Sequence, residues 1–161
     1  MKKIFSTIMV FAIVSAVTAP AFAGEIPDNN GTWNTGSDVW GKQVSWVDGK
    51  IAYGAGKTAD FSQVNLVADT TVSMDLSGSG GAGITIGKII FGDTTISNHG
   101  WTLKSDLAKN ITLDNTGGVG TPVITVDDLG TGTATISLQI IGAAGLIKSG
   151  AGTLTLTDAN N

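Results

Sequence analysis

Short runs in which apolar and polar residues alternate, punctuated by clusters of glycine and asparagine, constrain this chain more than any other feature. Val72-Ser73-Met74-Asp75-Leu76, Ile84-Thr85-Ile86, Ile111-Thr112-Leu113-Asp114, Ile136-Ser137-Leu138-Gln139-Ile140 and Thr153-Leu154-Thr155-Leu156-Thr157 all follow a period of two. That period sends successive side chains to opposite faces of a β-strand. Between the runs lie Ser77-Gly78-Ser79-Gly80-Gly81, Asn98-His99-Gly100, Asn115-Thr116-Gly117-Gly118 and Gly142-Ala143-Ala144-Gly145. Gly and Asn tolerate the positive φ angles of tight turns. The best helical stretch, Ser105-Asp106-Leu107-Ala108-Lys109, covers about one turn. The chain past Gly24 therefore reads as all-β.

Two all-β arrangements fit. An antiparallel β-sandwich calls for hairpin dipeptides, and Asn30-Gly31 and Asp48-Gly49 supply them, both early in the chain. A right-handed parallel β-helix, a solenoid, calls instead for segments that resemble one another at a longer period. Val72-Ser73-Met74-Asp75-Leu76 and Ile136-Ser137-Leu138-Gln139-Ile140 begin 64 residues apart. Three coils of about 21 residues account for that offset, and about six coils fill the chain as a rod roughly 30 Å long. Stacked coils set like residues above like. Aliphatic columns then close inside while short polar side chains such as Thr153, Thr155 and Thr157 line the outside.

Charge and composition narrow the function. All nine basic residues are lysines, and of the 13 acidic residues only Glu25 is not aspartate, giving a net charge of -4. A nucleic-acid binder needs a basic stripe, which this chain lacks. With no cysteine there is no disulfide framework, no thiolate metal site and no cysteine nucleophile. At the start, Lys2 and Lys3 precede an apolar stretch from Ile4 to Val17, then Pro20 and the small-residue triplet Ala21-Phe22-Ala23. This is the order of a cleaved secretory signal over residues 1–23, too short for a membrane span. Cleavage after Ala23 removes two lysines, leaving an acidic, thiol-free exported chain with no remaining span.

Residues 24–60 carry three of the four tryptophans, Trp33, Trp40 and Trp46. They suit either a cap that plugs the first coil or an aromatic platform that stacks on sugar rings. Residues 61–161 then supply the coils. The candidates for catalysis are weak. His99 sits in a turn with no nucleophile elbow nearby. Asp127 and Asp128 are adjacent, so on a strand they face opposite ways and cannot flank one bond. Asp75 and Asp114 could meet on neighbouring coils as calcium ligands, but the calcium nonapeptide is missing. The run Gly78–Gly81 has no following Lys-Ser/Thr pair and is a turn, not a phosphate loop. No catalytic residue, metal ligand or cofactor is assigned.

The segment Gly145-Leu146-Ile147-Lys148-Ser149-Gly150-Ala151-Gly152-Thr153-Leu154-Thr155-Leu156-Thr157-Asp158-Ala159-Asn160 resembles the autotransporter-associated β-strand repeat, approximately G-L-x-K-x-G-x-G-T-L-x-L-x-x-x-N. The upstream text, with its tryptophans, Gly54-Ala55-Gly56-Lys57-Thr58-Ala59-Asp60-Phe61 and Ala68-Asp69-Thr70-Thr71-Val72, resembles the N-terminal parts of the same exported proteins. The motif residues are Gly145, Leu146, Lys148, Gly150, Gly152, Thr153, Leu154, Leu156 and Asn160. The resemblance implies a β-helical passenger region of a bacterial surface protein, acting as a non-enzymatic stalk or adhesin at the cell surface, the outer membrane or outside the cell. A host-surface or glycan ligand is the partner it implies. Polysaccharide lyases are the enzymatic rivals on β-helices, but those resembling pectate lyases use an Arg base and this chain has none. Family members carry several repeats where this chain has one, so its C-terminal edge is expected to be continued by more repeats or covered by a partner. On this reading the chain is a fragment of a longer polypeptide, or a short secreted relative.

Overall fold

The computed structural model describes residues 27–74 and 83–158; the expected signal at 1–23, the Ser77–Gly81 turn, Asp75 and Asn160 lie outside them. Twelve strands form among the described residues: β1 (Gly31–Thr32), β2 (Asp38–Val39), β3 (Gly54–Phe61), β4 (Thr70–Ser73), β5 (Ile84–Phe91), β6 (Trp101–Lys104), β7 (Ile111–Leu113), β8 (Val123–Val126), β9 (Thr133–Ser137), β10 (Ile140–Ile141), β11 (Ile147–Ser149) and β12 (Thr153–Leu156). Two short 3-10 turns, Gln43–Ser45 and Val47–Gly49, are the helical elements among the described residues. No described helix is long and apolar enough to cross a membrane.

The strands belong to two sheets, and every strand-to-strand pairing is parallel. Sheet one has seven strands in the order β1-β3-β5-β7-β10, with β8 also on β5 and β11 on β8. The long strand β5 spends its first half on β7 and its second half on β8. Sheet two has five strands, β2-β4-β6-β9-β12. Along the chain the strands pass from one sheet to the other and back, and each return adds at the same growing end. Parallel neighbours need long crossovers, and here the crossover out of each sheet runs through one strand of the other, or two where β7 and β8 or β10 and β11 follow one another in sheet one. The sandwich alternative required antiparallel hairpins. Outside the named strands, antiparallel contact among the described residues is limited to two isolated bridges, Asn29 with Tyr53 and Trp33 with Trp46.

Register corrects the spacing inferred from the alternation. Val72 pairs with Leu103 and Leu103 with Ile136. The 64-residue offset is thus two steps of about 31–33 residues, not three of about 21, and among the described residues sheet two has five rungs where about six coils were expected. The steps ran longer because corners such as 92–100 and 105–110 contain turns that carry no periodic signal. Ser105–Lys109 is one of these, closed by the Ser105 hydroxyl accepting from the Leu107 and Lys109 amides. The 60/61 boundary also falls inside β3, so the tryptophan segment and the later strands share one pair of sheets.

Burial follows the columns. Ala59, Ile89 and Ile124 lie in register in sheet one, as do Phe61, Phe91 and Val126, and all are buried. Val72, Leu103 and Ile136 do the same in sheet two. Each inward aliphatic or aromatic side chain contributes about 1.5–3 kcal/mol when removed from water. With no disulfide in the chain, this packing and the backbone ladders hold the fold.

Candidate functional site

Sequence pointed first to the tryptophans. All three are buried, together with Trp101. Phe61 is the hub: Trp33, Trp40, Trp46, Phe91 and Trp101 lie with ring centroids 5.4–5.7 Å from it. Phe61 and Phe91 stack one rung apart with an interplanar angle of 18°, and Trp33 meets Trp46 edge to face at 5.0 Å. The indole N–H groups are spent inside the chain. Trp40 donates to Ala52 O, Trp46 to Trp40 O and Trp101 to Gly92 O. No indole face among these is open to a sugar ring. The platform role for Trp33, Trp40 and Trp46 fails on burial. Sequence reasoning missed Phe61, Phe91 and Trp101, because one aromatic per rung is invisible until the rungs are aligned.

The repeat motif forms the last described corner. Gly145 and Leu146 lead into β11, and Gly150 and Gly152 turn the chain into β12, which carries Thr153, Leu154 and Leu156. Gly150 has φ +78°, and a Cβ there would lie 2.2 Å from Val126 O on the rung below. No other residue fits. Lys148 continues the inward column of Ala59, Ile89 and Ile124, yet its ammonium turns to the corner and donates to the carbonyls of Gly150 and Gly152. Leu113, Ile140, Ile141, Gly142, Gly145, Leu146 and Leu156 line an open apolar groove of about 230 Å³ at this end.

The outer face of sheet two is lined with hydroxyls. Thr71, Thr102, Thr135 and Thr155 stand in one column. The next column holds Ser73, Lys104 and Ser137, with Thr157 donating to the Ser137 hydroxyl at 2.8 Å. Beside the first column a polar groove of about 260 Å³ opens, lined by Asp69, Asn98, Thr102, Thr131, Thr133 and Thr135 over Gly100, Trp101 and Gly132. Asp69 accepts the Gly100 amide at 2.8 Å, and His99 Nδ1 lies 3.7 Å from the same carboxylate oxygen. His99 thus flanks a groove; no serine activated by it is found in these contacts.

The perturbed carboxylates serve corners. Burial pushes the Asp93 carboxyl up, but donors from Ser97, Leu66 and Thr95 outweigh it and hold the group well below the ordinary carboxylate range. The same balance lowers Asp38, where burial is opposed by Ser45, Lys42 and the Val39 amide. Asp114 is lowered by the Thr116 hydroxyl and amide, an engagement local to its own turn. Asp128 accepts the Gly130 amide at the Leu129-Gly130 turn. Among the described residues no three His, Asp or Glu side chains come together in a metal-binding arrangement.

Two sheets of parallel strands sharing one core and growing rung by rung define an all-β protein of β-helix-like form. The chain is 31% identical over 168 aligned positions to a protein named Adhesin BmaC autotransporter, from Brucella suis biovar 1 (strain 1330). The alignment covers 97% of this chain and 4% of that protein, so the chain spans a small part of its relative's length. No protein-family model matches the chain, and no solved structure matches it.

Proposed function

We infer that this chain is a non-enzymatic part of an exported bacterial surface protein, a passenger section of an autotransporter adhesin. Its rungs wind as a right-handed parallel β-helix into a stiff stalk that presents its outer faces and corners to other surfaces. The observation that carries this reading is the regular passage between two parallel sheets with columns in register. The similarity to an autotransporter adhesin supports the same reading. The use of the perturbed carboxylates as corner acceptors favours a structural role over catalysis.

On this reading residues 1–23 direct export, and the tryptophan cluster plugs the first rung. The apolar groove and the outer edges of β11 and β12 form the face on which further rungs stack. A strand seated there would set apolar residues over Leu154 and Leu156 and polar ones over Thr155.

The decisive experiment expresses the chain, fused to an outer-membrane translocator, in a Gram-negative host. Protease-accessible display, a mature N-terminus at Gly24 and increased adherence to epithelial cells are the expected results. Retention inside the cell, or display without any gain in adherence, overturns the adhesive reading.

A further inference from the structure

The polar groove on sheet two is a feature that neither the repeat motif nor the stacking of rungs requires. It exists because Gly100 interrupts a column. Asp69 lies before it on one side and Thr133 after it on the other, and a Cβ at Gly100 would meet Thr133 O at 2.5 Å. A side chain is excluded there by the backbone of the next rung, so a notch opens between Asp69 and Thr133. Its walls are Thr102 and Thr135 on the sheet and Asn98 and Thr131 at the corner.

The chemistry of those groups is specific. Three hydroxyls, of Thr102, Thr133 and Thr135, can each donate and accept. Asn98 uses its carbonyl oxygen on the Thr131 amide at 3.0 Å, which turns its NH₂ donors outward from that bond. Asp69 uses one oxygen on the Gly100 amide and keeps the second as an acceptor. No lysine lines the groove, and the nearby Lys104 is held by Asp106 at 3.2 Å. A phosphate, sulfate or carboxylate would therefore meet the Asp69 carboxylate with no lysine in the groove to offset it. An apolar ligand would strand the hydroxyls. A neutral molecule dense in hydroxyl groups satisfies them. The volume is below the ~300 Å³ at which drug-sized sites begin, which fits one sugar ring with the rest of a chain outside.

We propose that this notch, formed by Asp69, Asn98, Thr102, Thr133 and Thr135, binds a residue of a neutral glycan. Recognition is by hydrogen bonds alone, since the one aromatic beneath the groove, Trp101, is buried. The columns extend the same pattern to Thr153 and Thr155 on the next rung at the ~4.8 Å strand spacing, so an oligosaccharide can lie along them. This deepens the adhesive reading and rests on it. Binding by the purified chain is measured apart from adherence of displaying cells, so each can fail without the other.

The test applies the purified chain to an array of neutral oligosaccharides, with sulfated and sialylated glycans as the anionic arm. Retention on at least one neutral glycan is expected. The double variant Thr102→Val/Thr135→Val keeps shape and strand preference and should weaken that retention tenfold or more, with an unchanged melting temperature. Asp69→Asn keeps the acceptor for Gly100 and should weaken it less, while Thr112→Val on sheet one should leave it unchanged. The proposal is overturned if no neutral glycan is retained, if only anionic glycans are, or if retention survives both groove variants.

Discussion

The two ends of this molecule solve the same problem in opposite ways. A stack of rungs has a free strand edge and an open core at each end, and both expose apolar surface and unpaired backbone groups. At the N-terminal end the chain covers itself. The segment from Gln43 to Tyr53 crosses back, Asn29 and Tyr53 exchange two backbone hydrogen bonds, Asn34 donates to Ser45 O, and Trp46 lies against Trp33 and Trp40. At the C-terminal end Ile141, Ile147 and Leu156 are 40–48% exposed, with Ile141 and Leu156 on the apolar groove. On the proposed reading one end is capped, its β1 side carrying antiparallel contacts at Asn29–Tyr53 and Trp33–Trp46. The other offers its edges in the register the sheets already use. On the proposed reading, further rungs add on the β12 side and not on the β1 side.

The largest expected effect breaks the sealed end. Trp46→Ala removes a ring packed on Trp33, Trp40 and Phe61 and the N–H bonded to Trp40 O. It should cost about 3–5 kcal/mol in denaturant unfolding. A loss below about 1 kcal/mol would mean that the aromatic cluster is ornamental to the stack and that the two ends are alike. Gly150→Ala comes next. Its left-handed φ and the clash with Val126 O should cost about 2 kcal/mol or more. Because the damage falls on the last corner, hydrogen exchange should quicken in β11 and β12 and stay slow in β3 and β5. Uniform acceleration would show that the C-terminal rung is not a separate unit.

Asp93 sharpens the comparison through pH. Its carboxylate accepts from Leu66, Thr95 and Ser97 and so ties two consecutive corners together. Because its folded pKa is depressed, its contribution is present above the unfolded value near 3.9 and lost as pH falls below that toward the folded value. Asp93→Ala should lower stability by about 1 kcal/mol at pH 7, and wild type and variant should converge in acid. A gap that stays constant from pH 7 to about pH 3 would assign the effect to packing and not to the charge.

What could be read from residues alone divides along the same line. Alternation exposed the strands whose two faces see different surroundings, such as Ile111–Leu113 and Thr153–Leu156. It gave only the first half of β5, because the run Lys88-Ile89-Ile90-Phe91 carries apolar residues on both faces, and it missed β3, whose Gly54-Ala55-Gly56 start has little side chain to alternate. The rung length was misread because corner residues carry no periodic signal, and only pairing fixes which strands are neighbours. The candidate groove was hidden for the same reason. Asp69, Gly100 and Thr133 are more than 30 residues apart at each step and come together only through the parallel register.

The smallest expected effect tests the open end. Leu156 contributes to the groove but remains 40% exposed, so its truncation vacates little buried volume. Leu156→Ala should cost less than about 1 kcal/mol in this chain, since the penalty of a large-to-small change grows with the cavity it leaves. The same substitution made in a longer polypeptide, with the next rung seated over β12, should cost about 2–3 kcal/mol, because Leu156 would then occupy a closed column above Ile136. The difference between the two measurements isolates what a covering rung contributes at this position. Equal costs in the short and long chains would mean that nothing stacks over Leu156, and the direction of growth argued from the unlike ends would be lost.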